Sequence, residues 1–149
     1  DGIDWYHITG ITPALSETAM ELSLASVKAA KEKGITVSCD LNFRKNLWKY
    51  GKKASEVMRE LASYVDIAIA NEEDVQKSLE ITVDIDVESG SLDRSKYKAL
   101  VIRCLLPIQY ELIAITLRES KSADHNDWAA CINNRAHFYE SKNITLPIS

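Results

Sequence analysis

The sequence has little of what marks an unusual environment for a protein. Its 3 cysteines, Cys39, Cys104 and Cys131, are widely spaced and form no CxxC pair and no Cys/His ligand spacing, which argues against a disulfide framework or a zinc site. No apolar run approaches the roughly 20 residues that span a bilayer. The net charge of -4 supplies no basic surface for nucleic acid or anionic membrane. We therefore expect a cytoplasmic globular domain with reduced thiols and neither of those partners.

Familiar catalytic signatures and ordinary chain ends are also missing. The sequence has no P-loop, no GxGxxG and no Ser, His and Asp set, so these motifs assign no enzyme class. It begins at Asp1 rather than at methionine, and it ends at Ser149 without a terminal pattern. A length of 149 residues suits one domain. We therefore expect the chain to be the central portion of a single domain that is truncated at both ends.

Hydrophobic patterning predicts strands and helices in alternation. Short β-branched or apolar runs predict strands at 5–9, 35–40, 65–70, 112–117, 128–132 and 136–140. Helical spacing predicts helices at 17–33, 53–64, 71–79 and 95–106. Ser16 is expected to cap the first helix and Gly34 to end it. Residues 133–135 are expected to form a hairpin turn, and the acidic segment 80–93 to lie at the surface.

This order predicts a three-layer α/β/α fold with a mostly parallel sheet and a C-terminal antiparallel hairpin. In such sheets, ligands bind outside the carboxyl ends of the strands. Four segments follow predicted strands and are expected to meet there as loops: Gly10 and Ile11, and the segments 40–44, 71–74 and 116–121.

The segment 40–48 (DLNFRKNLW) is the most unusual of the four. Asn42 offers both a donor and an acceptor, and Arg44 offers a planar fork for a carboxylate or phosphate. A functional role and a structural one remain open, since Arg44 could simply pair with Asp40 to cap the loop.

The other two polar segments have stronger structural alternatives. Asn71 to Asp74 (NEED) can hold Mg²⁺ through water, but Asn71 is also a good N-cap and its acidic neighbours suit the first turn of a helix. The segment 116–121 (TLRESK) can meet an anion through hydroxyl and basic groups, but it also reads as a solvated charged turn.

Taken together, these segments resemble the ribokinase-like carbohydrate kinases, and most of all the 2-keto-3-deoxygluconate kinase group. The carrying residues are GITPALS at 10–16, DLNFRKNLW at 40–48, NEED at 71–74 and TLRESKSADHNDW at 116–128. The resemblance covers nearly the whole chain. It implies a ribokinase-like fold, the cofactors ATP and Mg²⁺, a sugar-acid substrate, and a full-length protein that forms homo-oligomers in some cases.

The resemblance also implies a role for each segment. Gly10 and Ile11 would line the sugar-acid pocket, and Arg44 would bind the substrate carboxylate. Glu73 and Asp74 would organise Mg²⁺ through water. The residues implied at the nucleotide are Asn42, Arg44, Asn71, Thr116, Arg118, Ser120 and Lys121.

The chain departs from the family pattern in three ways. Asp74 stands where the Asn-x-x-Glu motif has glutamate, and Arg118 and Glu119 stand where glycines are common. The family's catalytic aspartate, in a Gly-x-Gly-Asp segment, has no counterpart in this sequence. We therefore expect a kinase fragment that is inactive alone. A fructokinase-like enzyme and a non-catalytic α/β binding module are the alternatives.

Overall fold

The computed structural model describes residues 2–80, 110–120, 125–134 and 136–147. These ranges contain seven strands and four helices. In chain order the elements are β1 (Trp5–Thr9), α1 (Thr12–Leu15), α2 (Glu17–Glu32), β2 (Thr36–Asp40), α3 (Ala54–Ala62), β3 (Ile67–Asn71), α4 (Glu72–Leu79), β4 (Leu112–Ser120), β5 (His125–Asn133), β6 (Phe138–Glu140) and β7 (Ile144–Pro147).

The strands form one mixed sheet in the order β1-β2-β3-β4-β5-β6, with β7 paired to β5. The strands β1 to β4 are parallel, and their register places Thr9 beside Asp40 and Asn71 beside Thr116. The strands β5, β6 and β7 are antiparallel to their neighbours. The predicted α/β fold with a mostly parallel sheet and antiparallel C-terminal strands is therefore confirmed, and the carboxyl ends of β1 to β4 lie at one edge of the sheet.

The predicted helices correspond to α2, α3 and α4. The Ser16 hydroxyl accepts a hydrogen bond from Ala19 N at 3.1 Å and caps α2 as expected. Gly34 follows the helix with a φ of +69°, a left-handed conformation that glycine adopts without a Cβ penalty. The predicted helix at 95–106, and the acidic segment from residue 81 onward, lie outside the described residues.

Two local predictions are wrong, and one strand was not predicted. The composition of residues 10–13 predicts a turn, but residues 12–15 form the short helix α1, because proline is tolerated in the first turn of a helix. The polar composition of residues 118–127 predicts a loop, but β4 continues to Ser120 and β5 begins at His125. The strand β7 was not expected. In β4, β5 and β7, backbone pairing between strands outweighs the polar character of the side chains.

The core lies between the sheet and the helices packed on it. Val27 of α2, Leu61 of α3 and Val75 of α4 are fully buried, and helical spacing predicts an apolar position for Val27 and Leu61. The sequence pattern of α2 predicts that Leu22 widens the apolar face of the helix, but Leu22 is 67% exposed. The nearly continuous apolar run at 65–70 predicts a strand that is buried on both faces, but Ile69 is 39% exposed, so this prediction is also wrong.

Asp66 joins the amino-terminal ends of three strands. Its carboxylate accepts from Val37 N at 2.8 Å and pairs with Lys31 Nζ at 2.5 Å. Its backbone carbonyl accepts from Glu111 N at 2.8 Å. These contacts fix the register of β2, β3 and β4 relative to one another. They thereby also fix the position of the loops at the carboxyl ends of these strands. Among the described helices, none is long and apolar enough to cross a membrane.

Candidate functional site

The turn after β1 lies directly against the loop after β2. Gly10 N donates to Asp40 O at 2.7 Å. A Cβ at Gly10 would approach the carbonyl carbon of Leu41 to 2.8 Å and Met58 Cε to 3.0 Å. Because backbone atoms occupy that space, the close approach of these two segments requires glycine at position 10.

A polar cluster behind this turn was not selected from the sequence. Thr9 Oγ1 donates to Asp40 Oδ1 at 3.0 Å and accepts from Ile11 N at 3.4 Å. His7 Nε2 lies 3.5 Å from Asp40 Oδ2, while its Nδ1 lies 2.8 Å from the Ser38 hydroxyl. The sequence contains a signal for this cluster, because His7 and Thr9 are two residues apart and lie on the same face of β1. Thr9 is also in register with Asp40. The cluster uses Asp40 internally, so the alternative in which Asp40 pairs with Arg44 does not describe this loop.

The loop that carries Asn42 and Arg44 is held by α4. Asn42 has a φ of +29°, a conformation in which asparagine is enriched. Phe43 N donates to Asp74 Oδ1 at 2.9 Å. Arg44 is exposed, and its Nη1 donates to the carbonyl of Phe43 at 3.1 Å. One guanidinium donor therefore stabilises the loop, and the remaining donors of the fork stay available to a ligand.

Asn71 and Asp74 perform structural tasks at the start of α4. Asn71 Oδ1 accepts from Asp74 N at 2.7 Å, which makes Asn71 the N-cap of the helix. Asp74 is 8% exposed, and burial raises the pKa of its carboxyl, while the hydrogen bond from Phe43 and the charge of Arg44 partly oppose that rise. Glu73 is exposed and pairs with Lys77 one turn later. The capping interpretation of this motif therefore holds, and Asp74 links α4 to the Arg44 loop.

The fourth segment is arranged differently from the sequence-based expectation. Thr116 is exposed, and its hydroxyl lies 3.5 Å from the carbonyl of Ala70. Arg118 and Ser120 belong to β4, where they pair with β5 in an antiparallel ladder rather than forming a strand-end loop. Lys121 lies outside the described residues. Only Thr116 is thus placed beside the end of β3, next to Asn71.

The structure connects all four segments, the fourth of them through Thr116. Gly10 touches the loop after β2, that loop bonds to Asp74, and Asn71 and Thr116 are neighbours across β3 and β4. Within the described ranges, no group of three or more His, Cys, Asp or Glu side chains is arranged to hold a metal ion. Within the part of the chain that the structure describes, the result is a polar edge that presents the exposed guanidinium of Arg44.

A mostly parallel sheet with polar loops at the carboxyl ends of its strands belongs to the α/β folds that bind ligands at those ends, and comparison with known proteins narrows this class. No protein-family model matches the chain. The 2-dehydro-3-deoxygluconokinase of Thermotoga maritima matches its structure with a TM-score of 0.86 and 37% identity, over 98% of this chain and 42% of that one. A PfkB family carbohydrate kinase of Listeria grayi matches with a TM-score of 0.73 and 27% identity, over 99% of this chain and 42% of that one.

Among curated proteins, the 2-dehydro-3-deoxygalactonokinase of Haloferax volcanii is 38% identical over 87 residues, which are 58% of this chain and 27% of that protein. The resemblance to PfkB-family, ribokinase-like carbohydrate kinases is therefore confirmed, and the chain carries their fold. It spans 42% of the length of each of these two solved relatives.

Proposed function

We propose that the gene product containing this chain transfers the γ-phosphoryl group of ATP, with Mg²⁺, to a hydroxyl of a 2-keto-3-deoxy sugar acid such as 2-keto-3-deoxygluconate. The observation that carries the proposal is the exposed Arg44 guanidinium on a loop that is bonded to α4 and packed against Gly10. Two relatives, from Thermotoga and Haloferax, are named as kinases of 2-dehydro-3-deoxy sugar acids.

Arg44 suits the carboxylate that distinguishes a sugar acid from a neutral sugar. A guanidinium can make two parallel hydrogen bonds to a carboxylate, and such charge-assisted bonds are about twice as strong as neutral ones. In the turn nearby, Gly10 N and Ile11 O are already bonded to Asp40 and Ala14. The Gly10 carbonyl and the Ile11 side chain are therefore the groups that this turn offers to the sugar.

The nucleotide would lie on the neighbouring part of the same edge. Asn42 and Arg44 would approach its phosphates from the loop after β2. Asn71 retains its Nδ2 after capping α4. The exposed Thr116 hydroxyl would donate to a phosphate by turning its proton away from the Ala70 carbonyl, which lies 3.5 Å away. The remaining members of the proposed nucleotide site are Arg118, Ser120 and Lys121.

The donor set for Mg²⁺ favours contact through water. One oxygen of Asp74 is engaged by Phe43 N, and Glu73 is paired with Lys77. The second Asp74 oxygen and the exposed Glu73 carboxylate can still bond to metal-bound water, which suits an ion that keeps much of its hydration shell. Bound Mg²⁺ would neutralise phosphate charge during transfer.

The test is an ATP-dependent phosphorylation assay of the purified native gene product against a substrate panel. The panel contains 2-keto-3-deoxygluconate, 2-keto-3-deoxygalactonate, fructose and ribose, each with and without Mg²⁺. The proposal expects turnover of the two sugar acids. Turnover of fructose alone would favour a fructokinase-like enzyme, and ligand binding without any phosphorylation would favour a non-catalytic module.

A further inference from the structure

Tyr50 joins the far end of the Arg44 loop to the helix that follows Gly10 and Ile11. Its hydroxyl donates a hydrogen bond to the backbone carbonyl of Pro13 in α1. The Tyr50 ring also contacts the Trp48 ring, with centroids 5.9 Å apart. Trp48 in turn packs against the hydrophobic core. Tyr50 is therefore fixed from two directions, although it lies in a loop.

The two ends of this loop are bonded to different helices. Phe43 is bonded to Asp74 of α4 at 2.9 Å, and Tyr50 is bonded to Pro13 of α1. Between them, Leu47 N donates to the Arg44 carbonyl at 3.0 Å and keeps the intervening turn compact. The exposed guanidinium of Arg44 therefore projects from a segment with little freedom to move at either end.

The hydrogen bond from Tyr50 to Pro13 links the loop to the proposed sugar-binding turn and persists at neutral pH. Pro13 lies three residues after Gly10, so the bond ties the loop to the same turn that would contact the sugar. Burial raises the pKa of the Tyr50 hydroxyl, and the nearby charge of Glu17 raises it further. The hydroxyl therefore keeps its proton, and its ability to donate, throughout the neutral range.

We infer that Tyr50 is a positioning residue for the sugar acid, because it fixes the Arg44 guanidinium relative to the Gly10–Ile11 turn. This inference rests on the proposed function and adds a determinant of substrate affinity to it. Tyr50 contacts neither sugar nor nucleotide in this account. Its effect reaches the substrate through the position of Arg44.

The kinetic test compares Tyr50→Phe with Tyr6→Phe in the native gene product. Tyr6 is a matched control, because its hydroxyl bonds to the Ser26 hydroxyl at 2.9 Å, away from the loop. Loss of one such hydrogen bond at Tyr50 should raise KM for 2-keto-3-deoxygluconate by about 2-fold to 10-fold. KM for ATP should rise as well, because Arg44 is also proposed to approach the nucleotide phosphates. A merely structural role would lower the active fraction and leave both KM values unchanged, which would overturn the inference.

A second readout does not depend on kinase activity. Arg44 and Lys45 are exposed tryptic sites within the loop. Tyr50→Phe should speed native-state cleavage after these residues, whereas Tyr6→Phe should not. Unchanged cleavage in Tyr50→Phe would overturn the inference even if the sugar acid is phosphorylated. Faster cleavage in a gene product that phosphorylates no sugar would instead overturn the proposed function, and with it the substrate role of Tyr50.

Discussion

Replacing Gly10 with alanine should destabilise the protein, although the backbone conformation at this position suits alanine. The φ of Gly10 lies outside the left-handed region. With open space around it, such a substitution would stabilise the fold by about 0.4–1 kcal/mol through the unfolded state. The sign of the effect therefore depends on what the new Cβ meets.

The space at Gly10 is filled by backbone that cannot move cheaply. The added Cβ would lie 2.8 Å from the carbonyl carbon of Leu41, and closer still to its oxygen. Leu41 N donates to Ile69 O at 2.9 Å, which holds Leu41 to β3. The third neighbour, Met58 Cε at 3.0 Å, is the end of a flexible side chain and can yield. Overpacking of this kind costs about 1–3 kcal/mol, which exceeds the expected gain.

Urea unfolding monitored by circular dichroism measures this change, with Gly51→Ala as a matched control. Gly51 lies in the loop 41–53 with a φ of +86° and nothing within 4 Å of an added Cβ. Its substitution should cost about 1 kcal/mol from left-handed strain alone. Gly10→Ala should lower the free energy of unfolding at least as much, without any such strain. A Gly10→Ala protein as stable as wild type would refute the tight contact between the two loops.

Other parts of the structure give three further predictions. Asp66→Ala leaves the buried Val37 N without its partner and should lower the free energy of unfolding by about 1–3 kcal/mol, and an unchanged urea midpoint would contradict this. Burial raises the pKa of Asp74 above its ordinary value of 3.8, so the folded state binds the proton more tightly than the unfolded state. The contribution of Asp74 to stability therefore falls as the pH rises from its ordinary pKa through its raised pKa. Asparagine at position 74 cannot titrate, so Asp74→Asn should become more stable relative to wild type as the pH rises from about 4 to about 7. An equal difference in stability at both pH values would contradict the raised pKa of Asp74. Burial raises the pKa of Cys39 to about 12 and of Cys131 to about 11. In a Cys104→Ser variant, a thiol reagent at mildly alkaline pH should therefore react slowly with the native protein and rapidly with the protein unfolded in urea.

Much of the fold follows from local sequence signals. Ser16 and Asn71 cap the helices that they were expected to cap, because a capping side chain needs only residues three positions away. The alternation of strands and helices also fixed the parallel part of the sheet. The extension of β4 to Ser120 was not predictable in this way, since it depends on pairing with β5 rather than on its own composition.

The candidate site was harder to predict for the same reason. The sequence placed Gly10, Asn42 and Arg44 at one edge of the sheet through the carboxyl-end rule. It could not reveal that the Asp74 carboxylate bonds to Phe43 N, or that Tyr50 reaches Pro13. Contacts between residues 31 and 37 positions apart depend on the tertiary arrangement and leave no periodic signal.

The role of Arg44 at the substrate carboxylate is the central claim, and a specificity ratio tests it most directly. The ratio is kcat/KM for 2-keto-3-deoxygluconate divided by kcat/KM for fructose, measured for wild type, Arg44→Ala and the neighbouring control Lys45→Ala. Loss of a charge-assisted bond should lower this ratio by about 10-fold to 100-fold in Arg44→Ala, while Lys45→Ala keeps the wild-type ratio. An equal loss with both sugars in Arg44→Ala, or no loss at all, would contradict the account.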